Sequence, residues 1–243
     1  MQIRVIVPVT TETFVAETDV AYRAAARPDT VITTVGLDRG PASIECDYEE
    51  ALAVPDVLAK VRRAAEEGAD AVVIDCMMDP GLDAARELVS IPVVGPVQAS
   101  FHLAAMLAYR FSVVTILERD LPLLDRLFRK YGVAEKVASV RVINVPVLEL
   151  DDEARVATAA TEAAAQAVRE DGAHAIVFGC TGMRGVTEAV AQALAEQGLA
   201  VPVINPSVAA LKLAESLVDM GLSHSKRTYS APPEKEIVGY QFL

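Results

Sequence analysis

The sequence lacks the features that mark a nucleic-acid-binding, membrane-spanning or disulfide-rich protein. Lysine and arginine form no dense run and the net charge is −12, which disfavours nucleic acid and anionic membranes as partners and mildly disfavours an anionic substrate. No apolar segment approaches the roughly 20 residues needed to span a bilayer. Only three cysteines occur in 243 residues, without CxxC spacing, so we expect reduced thiols rather than disulfides.

Signals for a targeting segment, a metal or a dinucleotide are lacking as well. Residues 1–4 lead directly into an apolar, strand-like run, so no signal peptide is predicted and we expect a cytoplasmic protein. The three histidines are isolated from other metal-ligating residues. Gly179, Gly182 and Gly185 have GxxGxxG spacing rather than GxGxxG. We therefore predict neither a metal nor any other cofactor.

What the sequence does contain is an internal repeat that carries two of the cysteines. Cys76 and Cys180, 104 residues apart, each follow a short apolar run and precede a glycine-containing turn and an amphipathic stretch. Residues 92–104 also resemble residues 202–214, at a spacing of 110. The identical pairs there are Pro92/Pro202, Val93/Val203, Pro96/Pro206, Ala99/Ala209, Leu103/Leu213 and Ala104/Ala214.

Strand-length apolar runs alternate with helical periodicity, a pattern typical of βαβ units around parallel sheets. The predicted strands span residues 3–9, 31–36, 71–75, 91–94, 111–116, 140–144, 175–178 and 201–204. The clearest helices span residues 54–67, 121–131, 152–170, 187–197 and 206–220. The predicted fold is α/β, with two pseudo-symmetric halves. Each is a four-stranded, mostly parallel sheet flanked by helices, and the active site lies in the cleft between them.

The predicted division places residues 1–109 in the first half, completed by part of the C-terminal helix and tail. Residues 110–222 form the second half, and residues 223–243 form a tail without clear periodicity. Asp79 and Pro80 are predicted as the N-cap and first residue of the helix after Cys76.

Two thiols in equivalent positions suggest acid-base chemistry on a carbon acid. A stereocentre is inverted when one group removes a proton from one face and another returns a proton to the opposite face. A thiol has an ordinary pKa near 8.5, so a thiolate and a thiol can coexist near neutrality. Backbone N–H groups in the turns after Cys76 and Cys180 could stabilise the enolate.

A structural explanation of the cysteines has to be weighed against this one. A single cysteine at a strand end is most often a small buried apolar residue, and we interpret Cys46, which has no repeat partner, in that way. For Cys76 and Cys180 the catalytic interpretation is favoured, because the duplication explains both positions and strand ends are where such sheets bind ligands.

At these residues the chain resembles the hydantoin racemase branch of the aspartate/glutamate/hydantoin racemase superfamily, over nearly its whole length. The motifs that carry the resemblance are residues 40–45 (GPASIE), 75–76 (DC) with 79–82 (DPGL), 110–115 (RFSVVT) and 179–183 (GCTGM). The resemblance implies a cofactor-independent racemase of 5-substituted hydantoins or a related ring such as allantoin, with Cys76 and Cys180 as its acid-base pair. Its other implied substrate-binding residues are Pro8, Val9, Glu45, Met77, Thr115, Thr181 and Gly182.

Departures from the family pattern bear on the substrate. Hydantoin racemases commonly carry Asn-Pro-Asn where this chain has Val7-Pro8-Val9, and members acting on amino acids usually follow the first cysteine with Asn-Thr, where this chain has Met77-Met78. We therefore expect an apolar pocket and a neutral cyclic substrate. For Glu45, a solvated or helix-capping carboxylate is the favoured interpretation.

Other functions stay open from the sequence. These are an aspartate/glutamate-type racemase, a maleate-type cis-trans isomerase or a decarboxylase of the same superfamily, and a non-catalytic small-ligand-binding module. A decarboxylase fits less well because it resembles this pattern with one cysteine only. The expected partners are a small-molecule substrate and further copies of the chain in a symmetric homo-oligomer.

Overall fold

A computed structural model describes residues 1–240, in which eight strands form two separate four-stranded sheets. The first sheet has the order β2-β1-β3-β4 and the second the order β6-β5-β7-β8, and all pairs are parallel. The strands are β1 (Gln2–Ile6), β2 (Val31–Val35), β3 (Ala71–Ile74), β4 (Val93–Val94), β5 (Phe111–Thr115), β6 (Val137–Val142), β7 (Ile176–Phe178) and β8 (Val203–Ile204). The predicted fold class, two four-stranded parallel sheets flanked by helices, is confirmed.

Three of the four middle strands are buried along their whole length, because helices cover both faces of a parallel sheet. All residues of β3, β5 and β7 are buried, whereas the edge strand β6 is only half-buried throughout. In both sheets the chain passes from one middle strand to an edge strand and back to the other middle strand. The ends of β3 and β7 therefore occupy equivalent places in the two sheets.

The helices in the described part of the chain pack on these sheets. They are α1 (Glu12–Ala25), α2 (Asp47–Glu66), α3 (Leu82–Leu88), α4 (Pro96–Leu107), α5 (Asp120–Lys130), α6 (Glu153–Asp171), α7 (Thr187–Glu196) and α8 (Pro206–Asp219).

Two predicted helix starts are wrong, both at a proline. The helix predicted from residue 54 begins at Asp47 and contains Pro55 in its interior, with acidic residues in a first turn that favours negative charge. The helix predicted to begin at Asp79 and Pro80 begins at Leu82, after Gly81 in a left-handed conformation. Asp79 is itself left-handed, with φ of 49°, so the chain makes a turn where the prediction placed a cap.

The chain forms two compact units whose boundaries differ from the predicted division at residues 109/110. Unit 1 comprises Met1–Pro96 and the chain from Ala210 onward, and unit 2 comprises Val97–Ala209. Helix α4 belongs largely to unit 2, because the Phe101 ring packs on those of Phe111 and Phe128, at centroid distances of 5.6 and 5.1 Å.

The C-terminal part of the chain is tied to unit 1 by ion pairs and hydrogen bonds. Arg27 pairs with Asp219 near the end of α8. Beyond α8, the Lys226 ammonium donates to the carbonyls of Arg86, Glu87 and Val89, at 2.7, 3.1 and 2.6 Å, at the carboxyl end of α3. The last three residues of the predicted 223–243 tail lie outside the described residues.

Over residues 1–240, the helices are too short or too polar to cross a membrane.

Candidate active site

Cys76 lies in a tight turn at the carboxyl end of the middle strand β3. The Asp75 N–H still donates to the Ile6 carbonyl of β1 at 2.8 Å, but the Cys76 N–H turns back to the Ile74 carbonyl at 2.9 Å. The Cys76 carbonyl then accepts from the N–H of Asp79 at 3.0 Å. The half-buried thiol is thus held at the first position of a hydrogen-bonded turn.

Cys180 occupies the equivalent turn after β7. The Gly179 N–H donates to the Val114 carbonyl of β5 at 2.7 Å, and the Cys180 carbonyl accepts from the N–H of Met183 at 3.3 Å. Each cysteine therefore begins a turn closed by the residue three positions later. The N–H of Gly182 also donates to the Cys180 sulfur at 3.3 Å, a contact that favours the negatively charged thiolate.

A buried hydrogen bond holds Asp75, the residue that precedes Cys76. The Tyr22 hydroxyl, from α1, donates to the Asp75 carboxylate at 2.9 Å, and both side chains are buried. Sequence reasoning missed this pair, although a carboxylate ending an otherwise apolar strand was a signal. Tyr22, the partner of Asp75, is 53 residues away along the chain, and no sequence pattern linked the two.

The predicted residue Thr115 lies at the end of β5, beside β7, and is fully buried. Its hydroxyl donates to the Asp120 carboxylate at 2.7 Å, and that carboxylate also accepts from the Leu117 N–H at 3.1 Å. Gly179 lies so close that an added Cβ would be 2.7 Å from the Thr115 Cβ. Thr115 thus packs under the Cys180 turn, and its contact with substrate stays a prediction.

The remaining predicted residues lie in the loops that follow the middle strands. Pro8 and Val9 are buried after β1, which adjoins β3, and the Val9 carbonyl accepts from Leu37 N–H at 3.0 Å. Met77 is buried directly after Cys76. Thr181, directly after Cys180, is half-buried.

Glu45 is half-buried in the loop before α2. Its backbone N–H donates to the Glu49 carboxylate at 2.6 Å, so at this helix start it is Glu49 that accepts a backbone hydrogen bond. The loop reaches the end of β1, because Thr10 N–H donates to the Pro41 carbonyl at 2.9 Å. In unit 1 the structure therefore brings Pro8, Val9 and this loop to the same strand end.

Within residues 1–240, no group of three or more histidine, cysteine, aspartate or glutamate side chains could hold a metal ion.

Comparison with known proteins gives a consistent family assignment. A family model described as Asp/Glu/Hydantoin racemase matches residues 3–214. The chain is 44% identical to a hydantoin racemase of Pseudomonas sp. (strain NS671), covering 98% of this chain and 95% of that protein, and 40% identical to one of Paenarthrobacter aurescens, covering 97% and 99%. It also matches the structure of an allantoin racemase from Klebsiella pneumoniae, with a TM-score of 0.91, 40% identity, and coverage of 100% and 97%.

Proposed function

Because the chain belongs to the Asp/Glu/hydantoin racemase family, we propose that it racemises 5-substituted hydantoins or a related cyclic ureide, with Cys76 and Cys180 as the acid-base pair. The family and the racemase class of enzyme, both predicted from sequence, are confirmed. The substrate and the two-cysteine mechanism are the proposal.

The proposed reaction needs only the two thiol groups and a polar surrounding for the enolate. The thiolate of one cysteine takes the proton from ring carbon 5, and the electron pair left behind delocalises into the adjacent carbonyl. The thiol of the other cysteine then gives its proton to the opposite face of that carbon. The two cysteines exchange protonation states, and no atom is gained or lost.

The observation that carries this proposal is the equivalence of the two cysteine turns. Both thiols are half-buried at the carboxyl end of a middle strand, and both carbonyls accept from the residue three positions later. It is the presence of a thiol in both turns, rather than the duplicated turn itself, that supports a reaction with two bases. The Gly182 N–H on the Cys180 sulfur supports Cys180 as the thiolate in the unliganded enzyme.

The side chains near the thiols favour a neutral ring over a free amino acid. Met77 and Val9 are buried apolar residues, at positions where the resemblance to the family leads us to expect amides or hydroxyls. Desolvating a free carboxylate and ammonium there would cost several kcal/mol, whereas each apolar methylene of a substituent gains about 0.8 kcal/mol on burial.

The test is a substrate panel followed by polarimetry and by NMR in deuterium oxide. We expect 5-benzyl- and 5-isobutylhydantoin to be racemised with a higher kcat/KM than allantoin, and aspartate, glutamate and maleate hardly at all. Higher turnover of allantoin would overturn the preference for apolar substituents. Turnover of aspartate, glutamate or maleate without racemisation of any hydantoin would overturn the proposed substrate class.

A further inference from the structure

Gly182 lies next to both the Cys180 sulfur and the side chain of Leu150. A Cβ added at Gly182 would be 3.3 Å from that sulfur and 2.7 Å from a terminal methyl of Leu150. Because both distances are measured from one point, the methyl and the sulfur lie within about 6 Å of each other. Leu150 is therefore close to a thiol that we propose acts on the substrate, although neither motif nor repeat pointed to it.

The short 3-10 helix before Leu150 decides which leucine reaches the cysteine. This helix spans Val147–Glu149, and the Leu150 N–H donates to the Val147 carbonyl at 3.4 Å. Leu150 is 8% exposed and belongs to an apolar cluster against which Cys180 packs. Leu148, two residues earlier, is 59% exposed. The two leucines thus share a local segment but lie in opposite environments.

Position 182 favours glycine because there is little room for a side chain, not because of its backbone conformation. The φ angle of Gly182 is not positive, so an alanine could adopt the same backbone conformation without strain. An alanine would instead displace the Leu150 side chain, which is flexible at its end. Gly182 therefore leaves Leu150 in place beside the thiol.

We propose that Leu150 is a specificity-determining residue, an apolar wall beside Cys180 that contacts the 5-substituent of the substrate. The inference rests on the proposed function. Shortening Leu150 removes methyl groups that touch a medium-sized substituent and opens space for a larger one. A wall of this kind changes the order of substrates without changing the acid-base chemistry.

The experiment compares Leu150→Ala with Leu148→Ala on 5-methyl-, 5-isobutyl- and 5-indolylmethylhydantoin. We expect Leu150→Ala to raise the ratio of kcat/KM for the indolylmethyl over the isobutyl substrate about tenfold, mainly through KM. Leu148→Ala should leave this ratio within twofold. Leu150→Val, a smaller truncation, covers the case in which Leu150→Ala does not fold, and should raise the same ratio by a smaller factor, about threefold; an unchanged ratio in a folded Leu150→Val would contradict the contact.

A second pair of variants tests the geometry around Gly182. Gly182→Ala should reduce kcat/KM for the isobutyl and indolylmethyl substrates more than for the methyl substrate, because the new methyl pushes Leu150 out of place. Adding Leu150→Ala should then recover at least part of that loss. Such a recovery reports the contact itself, since two independent defects would only accumulate.

Either of two further results would overturn the role of Leu150. One is an equal loss of kcat/KM on all three substrates in Leu150→Ala, which indicates a structural effect only. The other is a double variant no better than Gly182→Ala. Failure of the proposed function is distinct from both, because the unmodified enzyme would then racemise none of the three hydantoins.

Discussion

The carboxylate of Asp79 lies against the backbone of Gly95, in the space that a side chain at position 95 would need. A Cβ there would be 2.3 Å from one Asp79 oxygen and 2.7 Å from the other. The repeat counterpart of Gly95 is Asn205, whose own side-chain oxygen accepts from the N–H groups of Ser207 and Val208, at 3.0 and 3.2 Å. At this repeat position, the space beside the backbone is filled by the local side chain in one half and by the carboxylate of the cysteine turn in the other.

Gly95→Ala should therefore disturb the Cys76 turn. The new methyl overlaps the Asp79 carboxylate, and Asp79 donates its N–H to the Cys76 carbonyl. We expect a loss of about 1–3 kcal/mol in the free energy of unfolding and a fall in kcat of at least about tenfold. Urea unfolding and racemisation rates measure the two effects.

The double variant Asp79→Gly/Gly95→Ala is the control for this overlap. Glycine accepts the left-handed backbone of position 79 and removes the carboxylate. Stability should recover relative to Gly95→Ala alone. Full stability and activity in the single variant would contradict the close contact.

Tyr22→Phe should destabilise unit 1, because it removes a buried donor to the Asp75 carboxylate. Loss of one buried hydrogen bond costs about 0.5–1.5 kcal/mol. Denaturant unfolding gives the change, and Tyr48→Phe, at a tyrosine that is 72% exposed, is the matched control. If both phenylalanine variants unfold at the same denaturant concentration, the buried hydrogen bond contributes nothing.

Serine at either proposed base should abolish net inversion while leaving proton exchange on one face. We expect Cys76→Ser and Cys180→Ser each to lower racemisation by several orders of magnitude, because a serine hydroxyl is a far weaker base than a thiolate. In deuterium oxide, each variant should exchange the carbon-5 hydrogen of one enantiomer only, with opposite preference. NMR of each pure enantiomer measures this, and Cys46→Ser should behave as the unmodified enzyme. Equal exchange of both enantiomers in both variants would argue against one thiol per face.

The C-terminal segment contains a titratable group that links pH to stability. His224 is half-buried against the edge strand β4, with its Nε2 3.0 Å from the backbone nitrogen of Val93 and 2.9 Å from the Val93 carbonyl oxygen. Burial first, and then the positive charges of Arg86 and Lys226, lower the pKa of His224 to about 4, against the opposing effects of a hydrogen bond to the Val93 backbone and of Asp83. An unfolded histidine titrates near 6.5, so the unfolded chain binds an extra proton between pH 6.5 and 4.

The free energy of unfolding should therefore fall as the pH decreases from about 6.5 to 4. His224→Gln removes this titration and should flatten that part of the pH dependence. Urea unfolding at pH 5 and pH 7.5 provides the comparison, and parallel pH dependences of the unmodified protein and His224→Gln would refute a role for His224.

The local sequence was a reliable guide wherever the signal was short-range. Alternating apolar runs and helical periodicity predicted all eight strands, and the helix bounds of α5 to α8 within about one residue. The helix starts predicted at two prolines were wrong. Pro55 lies inside a helix that neighbouring elements cover, and Pro80 lies in a turn between Asp79 and Gly81, which both have left-handed backbones.

By itself, the sequence determined the repeat, and with it the two thiols at equivalent strand ends, because a duplicated pattern of strand, cysteine and turn is read along the chain. Only the tertiary structure decided which groups support those thiols. Tyr22 beneath Asp75 and Leu150 beside Cys180 lie 53 and 30 residues from the groups they serve. Such contacts depend on how helices and loops pack over a finished sheet, and packing between distant segments leaves no periodicity in the chain.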